Sequence, residues 1–143
     1  MNKLTISISL LLIISLNTYS QELKCIDFKN GTFLSPATDQ IPYSYTIIRN
    51  GNKQTEIIND PNNTLPDDIK KITYGIIEWV DECTYRLKFD ETKMELSEFQ
   101  KFMNDNNGTL NELLKIEDNC FYYKSTLLVN GEEIRLDGKF CAE

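Results

Sequence analysis

Histidine is missing from all 143 residues, tryptophan occurs once, and prolines and glycines number only four and six. Without an imidazole there is no Ser-His or Cys-His nucleophile, no histidine-ligated metal, and none of the commonest general base. The phosphate-cradling patterns G-x-x-x-x-G-K-[ST] and G-x-G-x-x-G are missing too, which excludes the common nucleotide loops. Basic residues are the minority, 15 against 22 acidic for a net charge of −7, so the chain lacks the Lys/Arg footprint that nucleic acid requires. What is present, 41% apolar and 26% charged residues, suits one small acidic globular domain.

The one long apolar run, Leu4 to Leu16, follows Met1, Asn2 and Lys3 and precedes small residues at Thr18 and Ser20. That order predicts a signal peptide over 1–20, cleaved after Ser20, and a secreted or periplasmic product. The run is short for a bilayer of about 30 Å, and no later stretch could anchor the chain, so no membrane span is expected after cleavage. Lys24 before Cys25 argues against lipidation of that cysteine. Residues 21–143 are then a single disulfide-stapled β domain, with one modest core.

All four cysteines, Cys25, Cys83, Cys120 and Cys141, fall in that part, and an exported chain is expected to pair them. None stands in a C-x-x-C pair, and no metal site or cofactor is expected. Asn130-Gly131 is the strongest turn signal, because two-residue hairpin turns need positive φ at both central positions. Such a turn sets Val129 opposite Glu132 and, counting outward, Lys124 opposite Asp137, Tyr123 beside Gly138, Phe121 opposite Phe140 and Cys120 opposite Cys141. It also sorts Phe121, Tyr123, Leu127, Val129, Ile134, Leu136 and Phe140 onto one face. The other face carries Tyr122, Lys124, Thr126, Glu133, Arg135, Asp137 and Lys139. The cysteine pair lies on a rung narrow enough for a disulfide. This register predicts a Cys120–Cys141 bridge and, by elimination, Cys25–Cys83.

Elsewhere the pattern reads as short strands. Cys25 to Phe33 suits a strand. Tyr43, Tyr45 and Ile47 alternate up to Arg49, Asn50-Gly51 marks a turn, and Thr55, Ile57 and Ile58 return, with the register left open. Ile72 to Phe89 reads as a hairpin; a turn at Asp81-Glu82 puts Glu78 on a face with Ile76, Tyr85 and Leu87 and sends Trp79 to the opposite face unless a bulge intervenes. Helical spacing of Leu96, Phe99, Phe102 and Met103 predicts one amphipathic helix over Met94–Met103. Thr109 to Ile116 suits either a strand or, with Thr109 and Glu112 as a capping box, a helical turn; a strand covers the last hairpin better. The expected fold is mainly β, an antiparallel meander curled into a barrel-like or half-open sheet with one short helix.

Trp79, Tyr43, Tyr45, Tyr74 and Tyr85 are candidates for the wall of a ligand cavity, or for simple core. Glu78, on an apolar face, is a candidate acid with a raised pKa, or a solvated sheet margin. Arg49, Gln54 and Glu56 flank one turn and form either a polar cluster or, the favoured reading, the solvent face of an edge hairpin. Asp60, Asn62, Asp67 and Asp68, or Asp105 and Asn107, lack the spacing of an EF-hand loop and read as solvated loops. The sequons at Asn30, Asn62 and Asn107 matter only in a eukaryotic secretory host.

C-x-x-F-K-x-G-x-F at Cys25–Phe33, I-x-R-N at Ile47–Asn50, Q-x-E at Gln54–Glu56 and W-x-x-x-C-x-Y-x-L at Trp79–Leu87 together resemble a family. It comprises uncharacterised small secreted proteins of Bacteroidetes-type bacteria, some of which carry a DNA topoisomerase IV label that does not fit a short exported chain. The resemblance implies a lipocalin-like β fold and supplies no catalytic residue; the Cys120 and Cys141 pair lies outside its pattern. The expectation is an exported non-catalytic binding or interaction module of unknown ligand, recognising a small apolar molecule or a protein partner. Its alternatives are a periplasmic inhibitor or immunity-type protein with a protein partner, and a carboxylate-based hydrolase.

Overall fold

The structure, a computed structural model, describes residues 22–66, 69 and 71–143; the expected leader over 1–20 and the loop residues Asp67 and Asp68 lie outside the described residues. Eight strands follow one another as an antiparallel meander: β1 (Gly31–Ser35), β2 (Ser44–Asn50), β3 (Lys53–Asn59), β4 (Ile72–Trp79), β5 (Thr84–Phe89), β6 (Thr109–Glu117), β7 (Cys120–Val129) and β8 (Glu132–Ala142). The sheet closes into a barrel where β1 pairs with β8. A 3-10 turn, Cys25–Phe28, precedes β1, and one helix, α1 (Glu98–Asp105), joins β5 to β6.

The turns fix the registers. Asn130 and Gly131 adopt φ 52° and 84°, and the β7–β8 ladder pairs Cys120 with Cys141, Phe121 with Phe140, Tyr123 with Gly138 and Lys124 with Asp137, as the Asn-Gly signal predicts. The Cys120 and Cys141 Cα atoms are 3.9 Å apart, and the bridge is made. Asp118 and Asn119, at φ 49° and 60°, form the equivalent turn before β7. The second bridge, Cys25–Cys83, ties the 3-10 turn to the β4–β5 loop.

Three expectations need correction, and one register left open by the sequence is settled. Cys25 to Phe28 is a 3-10 turn and not the start of a strand. The Lys24 amide donates to Asp27 Oδ2 at 2.8 Å and the Asp27 amide to the Lys24 carbonyl at 3.0 Å, which coils the backbone and drops Phe28 into the core. The β4–β5 connection is not a two-residue turn at Asp81-Glu82. Asp81 Oδ1 accepts the amides of Cys83 and Thr84 at 2.8 and 2.7 Å, and Trp79 pairs with Tyr85. A slip of one residue flips a strand face. Trp79 therefore shares the inner face with Ile77, while Glu78 goes outside opposite Arg86. The helix starts at Glu98 instead of Met94, because Ser97 and Gln100 make a reciprocal capping box at 3.2 and 2.9 Å. Finally, the β2–β3 turn is two residues long, Gly51-Asn52, with Arg49 opposite Gln54, and it turns both side chains inward.

The two ends of the barrel differ. One end is plugged: Phe28 sits among Phe33, Phe121 and Phe140, with ring centroids 5.4 to 5.7 Å away. Phe121 stacks on its cross-strand partner Phe140 at 5.1 Å. Both disulfides and the Trp79 ring, with Lys29 Nζ 4.4 Å over it, belong to this end. At the other end the strands finish at Ser35, Asn59 and Phe89, and α1 lies across part of the mouth. β1 meets β8 only at Phe33–Ala142 and Leu34–Cys141, so β8 from Glu132 to Phe140 is paired by β7 alone among the described residues.

Candidate functional site

Alternation along β2 and β3 faces Tyr45, Ile47, Arg49, Gln54 and Glu56 into the barrel. Three polar residues on an inner face are the anomaly of this fold, since buried polar groups require partners. Arg49, only 3% exposed, donates Nε to Gln54 Oε1 at 2.8 Å and Nη1 to the Phe28 carbonyl at 3.1 Å. Its guanidinium lies 4.5 Å from the Tyr85 ring centroid and 4.4 Å from that of Phe140, which spreads the charge over two aromatic faces. Nη2 is buried without a hydrogen-bond partner. Gln54 passes the contact on, donating Nε2 to Glu56 Oε1 at 2.6 Å. The result is a relay, Arg49 to Gln54 to Glu56, running from the plugged end toward the mouth. The solvent-face reading of these three residues is thereby corrected.

Glu56 is the member that reaches open space. It lines a 320 Å³ cavity at the mouth together with Leu87, Phe89, Met103, Tyr123, Ser125 and Leu127, with Phe99 of α1 and Ile134 and Leu136 of β8 at its edge. Thr109 and Asn111 complete the polar part of the wall, and Asn111 is held by its contacts to the Thr109 carbonyl and hydroxyl at 3.2 and 3.3 Å. The cavity is thus an apolar slot with few polar groups, the usual make-up of a small-molecule site. A side groove of 30 Å³ opens beside Glu56 between Thr73, Gly75 and Lys88.

Burial pushes the Glu56 carboxyl above the ordinary carboxylate range, against the opposing hydrogen bond from Gln54 and the charge of Arg49. Burial likewise raises the Tyr85 and Tyr123 phenols, so both are neutral donors at physiological pH, and raises Tyr45 with help from the charge on Glu56. Glu56 is the single carboxylate of the lining, which leaves no partner for paired-carboxylate chemistry there.

The five residues proposed from sequence as a cavity wall, and the candidate acid Glu78, are dispersed. Tyr85 is buried and faces inward at the plugged half, Trp79 packs on it at 5.2 Å, and Tyr45 packs against the same core. Tyr43 is half-buried before β2, Tyr74 borders only the side groove, and Glu78 is exposed on the outer face. Sequence reasoning missed the actual lining, Leu87, Met103, Asn111, Tyr123 and Ser125. The face assignment of the β7–β8 hairpin already contained Tyr123, Leu127, Ile134 and Leu136, and that was the available signal. The expected solvation of the loop acids fails at Asp60, whose side chain is only 3% exposed, accepts the Thr64 and Leu65 amides at 2.8 and 3.1 Å and pairs with Lys71 at 3.6 Å. No cluster of metal-ligating side chains occurs among the described residues. No helix among them is long and apolar enough to cross a membrane.

No family model matches this chain, and no curated protein and no solved structure matches it.

Proposed function

We propose that this protein is an exported, lipocalin-like binding module that takes a small, mainly apolar molecule into the mouth of its barrel. The observation that carries the reading is the 320 Å³ cavity, apolar over most of its wall and backed by one carboxylate. Two disulfides suit a chain that works outside the reducing cytoplasm. Phe99, 66% exposed, and Ile134, 57% exposed, leave apolar surface at the rim that a ligand would cover.

The test is a titration with an environment-sensitive apolar fluorophore on the wild type and on Ser125→Phe, which fills the slot from β7. Saturable emission enhancement that the variant loses supports the reading. Equal enhancement in both proteins, or none in either, contradicts it. A second reading, a protein partner adding a strand to β8, is favoured by the free edge from Glu132 to Asp137. Capture of a partner that Arg135→Pro abolishes, with the fluorophore still bound, would favour this one.

A further inference from the structure

Resting on that reading, the arrangement around Glu56 goes further and points to the head group of the ligand. Glu56 Oε1 is taken by Gln54 at 2.6 Å, whereas Oε2 has no hydrogen-bond partner among the described residues. The side chain lines the cavity, so its free acceptor stands where an apolar ligand would end. That oxygen is open to the cavity and is not among the buried atoms without a partner, so an entering donor can reach it and take the place of water on it. We infer that the cavity takes an amphiphile whose head is a primary amine, its ammonium bonded to Glu56 Oε2 and its chain lying between Leu87, Phe89 and Leu127.

Three observations separate this ligand from a carboxylate amphiphile. No Lys or Arg lines the cavity, and Lys88 borders only the 30 Å³ side groove. Of the exposed cations, Lys101 is paired with Glu98 at 3.3 Å and Arg135 with Asp137 at 2.6 Å. Arg49, whose Nη2 lacks a partner, is absent from the lining and stands behind Gln54, so an alkanoate would have to pass Glu56 to reach it. The net charge of −7 adds long-range attraction for a cation. The volume limits length: the cavity holds on the order of ten water-sized groups, which matches a chain of about eight carbons with its head.

The experiment is isothermal titration of the disulfide-intact protein at pH 7.5 with n-octylamine, 1-octanol and octanoate, on the wild type, Glu56→Gln and Ser125→Phe. The expected result is octylamine bound about tenfold or more tighter than the other two. That preference should shrink to less than about threefold in Glu56→Gln, and all binding should vanish in Ser125→Phe. Equal affinities in the wild type, octanoate tightest, or a preference unchanged in Glu56→Gln would overturn the amine assignment while leaving the cavity reading in place. No binding by any of the three would overturn both. Octylamine binding that survives in Ser125→Phe would show a cation held adventitiously on an acidic surface, and would overturn the assignment as well.

Discussion

Gln54 donates its side-chain amide to Glu56 at 2.6 Å, and this short contact inside the barrel links the packed half of the molecule to the open half. On its other side Gln54 accepts from Arg49, so a buried cation and a carboxylate share one neutral intermediary instead of meeting directly. The plugged end keeps the charge that aromatic rings can hold, and the mouth keeps the carboxylate that a ligand can reach.

Arg49 is expected to contribute strongly to stability. Arg49→Ala would leave the buried Gln54 and Phe28 acceptors unpaired, a loss of about 2–5 kcal/mol at the usual cost of two unsatisfied buried groups. Urea denaturation followed by circular dichroism measures it. A loss under about 1 kcal/mol would show that the rings and not the guanidinium hold that end together.

The raised Glu56 carboxyl has a consequence for stability against pH. Folded protein binds this proton more tightly than the unfolded chain, whose glutamates titrate near about 4.3. The stabilisation from this group is thus complete below that value and is lost as pH rises through the raised folded value. Glu56→Gln has no such loss, so its Tm relative to wild type should rise between pH 4 and pH 8. The lowered carboxyls of Asp60, Asp81, Asp90 and Asp137 act in both proteins and cancel in the difference. A difference that stays flat or falls over that range would contradict the buried placement.

Gly138 lies under the Tyr123 ring, and a Cβ added there would meet the phenol oxygen and Cζ at 2.5 and 2.6 Å. Gly138→Ala should therefore push Tyr123 toward the cavity, lowering stability by about 1–3 kcal/mol and weakening fluorophore binding together. Unchanged binding in a destabilised variant would mean that the ring moves outward instead.

The two disulfides should be separable by effect. Cys25–Cys83 closes 58 residues and holds the plug, and in the chain-entropy account its loss costs about 4 kcal/mol; Cys120–Cys141 closes 21 residues and costs about 3. Only the first loss should alter the emission of Trp79, the single tryptophan, because that bridge ties the loop following Trp79 to the 3-10 turn that precedes Lys29, whose Nζ lies over the ring. An emission change on removing Cys120–Cys141 alone would place the plug under the control of the final hairpin.

What was legible in the sequence was what turn chemistry dictates. Asn130-Gly131 sufficed to set every rung of β7 and β8 up to the cysteine pair, since a two-residue turn with positive φ at both positions leaves no freedom of register. At Asp81 the same logic failed, because an aspartate that binds its own downstream amides lengthens the loop, and one residue moved Trp79 and Glu78 to opposite faces from those expected. The relay was hidden for a different reason. Period-two reasoning assigns polar residues to solvent, so Arg49, Gln54 and Glu56 were placed outside, and only the three-dimensional satisfaction of one by the next allows them inside.

The most direct measurement is methyl-resolved NMR of the protein titrated with n-octylamine. The account predicts saturable shifts confined to Leu87, Leu127, Ile134, Leu136 and Met103, which line the cavity, with Ile48, exposed on the outside of β2, unmoved. Shifts spread over Ile48 and Leu128 on the outer surface, with the lining methyls unmoved, would contradict it.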